Sequence, residues 1–457
     1  MTGGSTRMDQ PTLDAMVAEL VERHRLPGMT VGLLDGQQIT LSAAGVRNAF
    51  TDDQATADTL FQIGSLTKMY TATLIMQLVY EGGVSLDDPI TRHLPELHLL
   101  GDPDLSAITI RSLVTHTSGI EGDSFFDTGR GDDAVERIIP RLEAIGLIHA
   151  PGDQWSYCNT GFVLAGRIVE KVTGLPWHRA LTTRLVQPLG VATPITLLDD
   201  VLPYRVATGH VGSPDDWQPA PLATMPWSQA PAGSRSFGRV ADLLAFAAMH
   251  CDDGMAAHGT RVLSADSTRL MQSHLADQPL SMTKGQGIGW FLLDEEPELV
   301  VGHAGDTAGF SALLLVAPRR RLAVASLVNT SNGVGANFEA AFRLFAEVGG
   351  ISVSAPGSVP PGQPAPHMTN VIGEYARAGQ TASVRLADDG SSLLVELTDE
   401  DELRGRRVET LRLVHASGPV FVDAADPGSL PFEFTLPEGE GDATYFIVGA
   451  RVLRRVG

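Results

Sequence analysis

Lysine is almost missing from this 457-residue chain: only Lys68, Lys171 and Lys284 occur, and 54 Asp+Glu outweigh 33 Lys+Arg for a formal net charge of −21. Such an acidic surface repels phosphates at long range, which argues against nucleic acid as a partner, and it favours solubility. Cysteine is equally scarce. Cys158 and Cys251 cannot build a disulfide framework and lack the spacing of a zinc site. There is no Gly-x-Ser-x-Gly elbow and no His-Glu-x-x-His or His-x-His pattern, so no metal and no cofactor is expected. No run of about 18 apolar residues occurs, so no membrane partner is expected. The first residues, MTGGSTRMDQPTLDAM, lack the cationic head and apolar run of a secretory leader, which makes the cytoplasm the expected location.

What is present is an ordinary globular interior, with 43% hydrophobic residues, in a chain too long for one core. TLDAMVAELVERHR (12–25) has helical spacing and stops before Pro27. TVGLLDGQQITLSAAG (30–45) alternates about Asp35-Gly36, a hairpin signal, and GFSALLLVAPRRRLAVASLVN (309–329) reads as a second hairpin turning at Pro318–Arg321. Between them lie mostly helical segments joined by Gly/Pro loops, and NFEAAFRLFAEV (337–348) returns to helical periodicity. Strands at both ends with helices between predict an α+β fold, an antiparallel sheet built from distant segments and flanked by helices. A Pro/Gly/Ser-rich stretch follows, and then strand-like runs about every ten residues. The expected division is 1–351 for the helix-flanked sheet, 352–368 for a linker and 369–457 for a small all-β domain.

Three short stretches carry the chemistry. In FQIGSLTKMYTATLIMQLVYEGG (61–83), Gly64 allows a tight entry to a helix that places Ser65 and Lys68 on one face. A serine hydroxyl is a poor nucleophile at its own pKa, and a partly buried lysine with a lowered pKa can remove its proton. The helix N-terminus beneath Ser65 would stabilise a developing oxyanion. In WSYCNTGFVLAGRIVEKVTG (155–174), Tyr157 near a lysine can act as a general base, and Asn159 offers an amide to a substrate carbonyl. Cys158 between them is expected to be a small buried filler. In VVGHAGDTAGF (300–310), His303, Ala304 and Gly305 precede the last hairpin, and the small residues let a substrate approach the backbone of an edge strand. Gly285-Gln-Gly287-Ile-Gly289 has no helix pattern after it and reads as a turn before a strand, not a nucleotide loop.

In order and spacing, Ser65-Leu66-Thr67-Lys68, Tyr157-Cys158-Asn159 and His303-Ala304-Gly305 resemble the motifs of the penicillin-recognising serine enzymes, with support from SLVTHTSGI (112–120), QPLGV (187–191) and PAGSRSFGRVADLLAF (231–246). That superfamily includes class C β-lactamases, penicillin-binding proteins, esterases, D-aminopeptidases and penicillin-binding-protein-type thioesterases. The resemblance covers about residues 10 to 350. It implies a β-lactamase/transpeptidase-like fold; the strand runs after the linker are expected to form a small antiparallel barrel, lipocalin-like, or a sandwich. It implies Ser65 as the acylated nucleophile, Lys68 as its activator, Tyr157 as the base that later passes a proton, and Asn159 as a contact for the acyl side chain. The oxyanion hole would be the N–H groups of Ser65 and Asp306, and His303 would hold the third-motif position. β-Lactam-cleaving members have lysine and threonine where this chain has His303 and Ala304, so efficient β-lactam hydrolysis is not expected. The expected activity is acyl transfer from a small-molecule or peptidyl ester, thioester or amide. The intracellular branch with a C-terminal β module implies release and cyclisation of a nonribosomal peptide, presented by a carrier protein. A stand-alone esterase or D-stereospecific aminopeptidase or amidase is a second enzymatic reading, a β-lactamase or D,D-carboxypeptidase a third that ranks behind it, and an acylated ligand sensor the non-enzymatic one.

Overall fold

The computed structural model describes residues 8–222, 224–357, 365–401, 405–426, 429–437 and 441–456. Its open sheet has eight antiparallel strands in the spatial order Asp53–Gln54, Gln38–Asn48, Gly28–Asp35, Leu322–Val328, Phe310–Ala317, Val300–Thr307, Phe291–Asp294 and Gly285–Gln286. The two hairpins read from the sequence meet at its centre, where Met29 pairs with Val328 and Asp35 with Leu322. Gly36 supplies the positive φ (57°) that the tight turn after Asp35 requires.

Phe310–Ala317 and Leu322–Val328 are buried at every position, as strands covered on both faces must be. Alternation divides them. Leu313 and Leu315 join Leu13, Val17 and Leu20 of the helix Gln10–Arg23, together with Ala340 and Leu344 of the helix Val334–Leu344. Leu314 and Val316 face the opposite core, shared with Val240, Leu244 and the middle of the chain. The first helix starts earlier than its apolar spacing shows, because Asp9 caps it through the Thr12 N–H (3.0 Å) and Pro11 is tolerated in the first turn.

The helix Thr67–Tyr80 is buried from Thr67 through Leu78. It therefore lies inside the molecule, and its lack of a polar face is a requirement of that position. The middle of the chain is less purely helical than its pattern suggests. Phe61–Gln62 pairs with Phe237–Gly238, and His210–Ser213 with Asp216–Pro219. The first of these ladders is short, yet it sets the Gly64-Ser65 turn against residues 231–236.

After the sheet domain the chain forms a closed eight-stranded antiparallel barrel, from Gly373–Arg377 through Arg451–Arg455, sealed by pairing of Tyr375 with Arg455. Closure leaves no unpaired edge. Tyr375, Phe421, Phe434, Phe446 and Leu453 fill it. Its first strand has too few alternating positions to be read from sequence. Of the expected linker, residues 358–364 lie outside the described residues. The barrel packs on the sheet domain through Ile148 against Tyr445, Ile447 and Val452. Main-chain bonds add to this: the Tyr157 N–H donates to the Ala450 carbonyl (2.9 Å) and the Val452 N–H to Ser156 Oγ (3.2 Å).

Candidate active site

Ser65 sits in a single 3₁₀ turn, Gly64–Leu66, that runs into the helix Thr67–Tyr80. Gly64 has φ 51°, and a Cβ there would lie 2.8 Å from the main-chain nitrogen of Asp306. Backbone conformation and close approach both demand glycine. One turn on, Lys68 Nζ lies 3.0 Å from Ser65 Oγ and 2.7 Å from the Ala232 carbonyl. Lys68 is fully buried, and among the described residues it forms no ion pair with a carboxylate. Burial, helped by the positive field of Arg451, holds its pKa well below the ordinary lysine value. A buried amine of this kind favours the neutral form, which can accept a proton.

Tyr157 lines the cavity beside Ser65, and the nearby Ser65 hydroxyl favours its phenolate form. His116 lies on its ring at 4.4 Å between centroids, while Lys68 Nζ and the Arg451 guanidinium each stand 4.8 Å from the ring centroid. Burial raises the phenol's pKa, and the Ser65 hydroxyl and the Arg451 charge oppose that rise. Asn159 opens the helix Asn159–Thr173. The cap is Cys158, whose sulfur accepts the Gly161 N–H (3.2 Å) and whose thiol donates to the Ile120 carbonyl (3.4 Å). Cys158 is thus a buried helix cap, and burial pushes its thiol up to about 11, which makes it a poor nucleophile.

His303, Ala304, Gly305 and Asp306 lie on the strand Val300–Thr307. The neighbouring strand Phe291–Asp294 pairs only as far as Gly302, so the rest of that edge faces the cavity. Thr307 pairs with Phe310 across a two-residue turn. By antiparallel alternation, the main-chain groups of Asp306 and Ala304 then point away from the Phe310–Ala317 strand, toward the cavity. A Cβ on Gly305 would come within 2.1 Å of the Ile63 carbonyl oxygen and 3.1 Å of the Ser65 nitrogen. The strand thus brings the nitrogens of Ser65 and Asp306 to one wall. His303 hydrogen-bonds the Ala304 carbonyl through Nδ1 and stacks on Phe291 (4.5 Å). Burial and the nearby Lys68 push its pKa down to about 3, so the imidazole is neutral at pH 7.

Ser65, Tyr157, Asn159 and residues 303–306 line one cavity of about 1080 Å³, with Lys68 behind Ser65. Every site residue named from the sequence is in or against this space. Residues the sequence did not reveal are there too. Asp123 accepts from Asn159 Nδ2 (2.7 Å), Arg451 Nε (2.8 Å) and Arg377 Nη1 (3.2 Å). The two arginines belong to the barrel, and no motif links them to the three segments singled out in the sequence. His116 falls in the stretch SLVTHTSGI; its Nδ1 accepts the Cys158 N–H (2.9 Å), which orients the ring behind Tyr157.

The chain matches the Beta-lactamase family model over residues 13–347. It is 38% identical over 381 residues to Penicillin-binding protein 4 of Amycolatopsis lactamdurans, covering 81% of this chain and 97% of that protein. Among solved structures it is similar to SurE, with a TM-score of 0.80 at 27% identity, covering 98% of this chain and 99% of the other. SurE has also been solved with D-Leu. A D-stereospecific amidohydrolase from Streptomyces sp. superposes with a TM-score of 0.59 at 25% identity over 73% of this chain and 99% of its own. With a serine-lysine-tyrosine cluster on a helix-flanked antiparallel sheet and these matches, the chain belongs to the penicillin-recognising, class C β-lactamase-like superfamily of serine hydrolases.

Proposed function

We propose that the protein is an acyl-enzyme-forming acyltransferase of the penicillin-binding-protein-type thioesterase kind, which releases a peptidyl group from a thioester and closes it into a ring. The observation that carries the chemistry is the buried Lys68 amine 3.0 Å from Ser65 Oγ. Lys68 in its neutral form takes the Ser65 proton while Oγ bonds to the substrate carbonyl carbon. The resulting oxyanion is held by the N–H groups of Ser65 and Asp306. Collapse breaks the bond to the thiol, which leaves with a proton relayed through Lys68 and Tyr157. In the second half, Tyr157 hands its phenol proton to neutral Lys68 while it takes one from the incoming nucleophile that attacks the Ser65 ester. Lys68 returns that proton to Oγ as the ester breaks, which restores the starting state. Asn159, fixed by Asp123, presents its amide to the acyl chain.

Two features support an amine over water as the second nucleophile. The cavity is large enough for a folded-back peptide chain. The barrel covers the tyrosine side of the site, where exclusion of water favours aminolysis. The end-to-end similarity to SurE, solved with D-Leu, supports an acyl group ending in a D-residue. A carrier protein in the cytoplasm would present it. The similarity to a D-stereospecific amidohydrolase favours a second reading, in which water takes the same acyl group.

A peptidyl thioester analogue ending in a D-residue tests this. The expected outcome is a cyclic product, lost in Ser65→Ala. Linear acid alone would leave the hydrolase reading, and a stable adduct without turnover would mean an acylated sensor. β-Lactams are expected to be poor substrates, because His303 is neutral where a permanent cation would hold their carboxylate.

A further inference from the structure

A second, much smaller cavity touches the segment that supplies the Ala232 carbonyl to Lys68, at Ala230 and Arg235. It is lined by Trp177, His178, Thr196, Trp227 and Arg235, with Asp132 at its rim. Arg235 is only 1% exposed. Its Nε donates to the Thr196 carbonyl (2.6 Å), and its guanidinium lies 3.5 Å from the Trp227 ring centroid. Both terminal nitrogens are buried with no hydrogen-bond partner among the described residues, and so are Trp177 Nε1 and His178 Nε2.

Four orphaned nitrogens around one cavity set a strong chemical demand. The two terminal guanidinium nitrogens carry four N–H donors and the indole one, and none of them can accept. A buried charge without a partner is costly, so something must meet these donors. The cavity has about 20 Å³ of free space, room for a single small particle. One water offers two lone pairs, too few for this donor set. The carboxylate of Glu170 also lines the cavity, where it takes the Trp177 main-chain N–H (2.9 Å) and Arg167 Nη1 (3.0 Å), but it makes no hydrogen bond to the Arg235 terminal nitrogens or to Trp177 Nε1. Asp132 is mostly exposed, its carboxylate 3.5 Å from His178 Nε2. Burial, and the field of Arg130 beside it, push the Arg235 pKa down to about 10, which still leaves it charged at pH 7.

We infer that this cavity is a binding site for a monatomic, monovalent anion of the halide class, seated among the Arg235 guanidinium, Trp177 Nε1 and His178. A spherical anion accepts from all of these donors at once and needs no orientation. The Asp132 carboxylate at the rim disfavours polyvalent anions and carboxylates. Occupancy ties down the segment whose next residues touch the reactive lysine, since Thr71 Oγ1 donates to the Pro231 carbonyl (2.7 Å) and Lys68 Nζ to that of Ala232 (2.7 Å). The site stands apart from the acyl-transfer reading and survives its failure.

The test uses the whole protein. Crystals grown in bromide should give an anomalous peak inside this cavity. At constant ionic strength, chloride or bromide in place of gluconate, which is too large to enter, should raise the Tm by about 2 °C, saturably. Arg235→Gln should abolish both effects. Should that variant fail to fold, Trp177→Phe, which removes one donor and keeps most of the ring packing, should weaken the halide response. A cavity holding water with no anomalous signal, or equal Tm values in halide and gluconate, would overturn the site.

Discussion

The guanidinium of Arg451 stands 4.8 Å from the ring centroid of Tyr157, although one residue belongs to the last barrel strand and the other to the sheet domain. Asp123 holds the arginine there through Nε (2.8 Å) and Nη2 (3.2 Å). The barrel therefore takes part in the electrostatics of the site. A cation over this ring favours phenolate formation, against the burial that opposes it.

Arg451→Met is accordingly expected to lower kcat about 10-fold, the scale of one desolvated cation–ring contact. Arg451→Lys should restore part of the loss. Far-UV circular dichroism would verify that the barrel is intact. Unchanged turnover in Arg451→Met would remove the arginine from the mechanism.

Lys68→Met should slow acylation by about 10²- to 10⁴-fold, the range of general-base assistance, with the fold retained because an apolar chain replaces a buried one. Adduct formation followed by intact mass measures this directly. Ser65→Ala should form no adduct.

The pH dependence of acylation should follow Lys68. Its pKa lies well below the ordinary 10.5, chiefly through burial, so the neutral, proton-accepting fraction increases as pH rises through that lowered value. Acylation should therefore fall as pH drops through the same value, and the limb should disappear in Lys68→Met. His303 already has its pKa pushed down to about 3. A limb near 6.5 that vanishes in His303→Asn would contradict its being neutral.

Asp123 offers a stability test. Arg451 and then Arg377 hold its carboxyl below the usual range against an opposing burial effect. A group with a depressed folded pKa contributes its stabilisation above the unfolded value, here 3.8, and loses it as pH falls through the folded value. Thermal unfolding from neutral to strongly acidic pH should show this loss, and Asp123→Asn should flatten it. At neutral pH that substitution should cost about 3 kcal/mol, because two partly buried arginines lose their counter-ion.

Gly305→Ala should reduce acylation about 10²-fold, with KM less affected. A Cβ 2.1 Å from the Ile63 oxygen must move about 1 Å to reach normal contact, and a displacement of that size at the proposed oxyanion site carries this penalty. A crystal structure of the variant would show the strand displaced from the Ser65 turn.

Much of this was legible in the chain. The Asp35-Gly36 hairpin and the strands on either side of Pro318–Arg321 were readable because alternation and turn residues are local signals. The start of the first helix was not, since its cap precedes the apolar repeat. The burial of Thr67–Leu78 depends on what surrounds that helix. Cys158 could be read as buried, but its work as a helix cap shows only when Gly161 and Ile120 are in place.

The sequence by itself determined the candidate reactive groups and their local geometry: a three-residue interval puts Lys68 within reach of Ser65 because a helical turn does so wherever it lies. Only the tertiary structure decided how those groups behave. Complete burial of Lys68, the Arg451 guanidinium against Tyr157, the neutral state of His303 and the unmet donors around Arg235 all come from segments far apart in the chain. Such effects depend on distance through space and on the exclusion of water, and neither quantity is written in residue order.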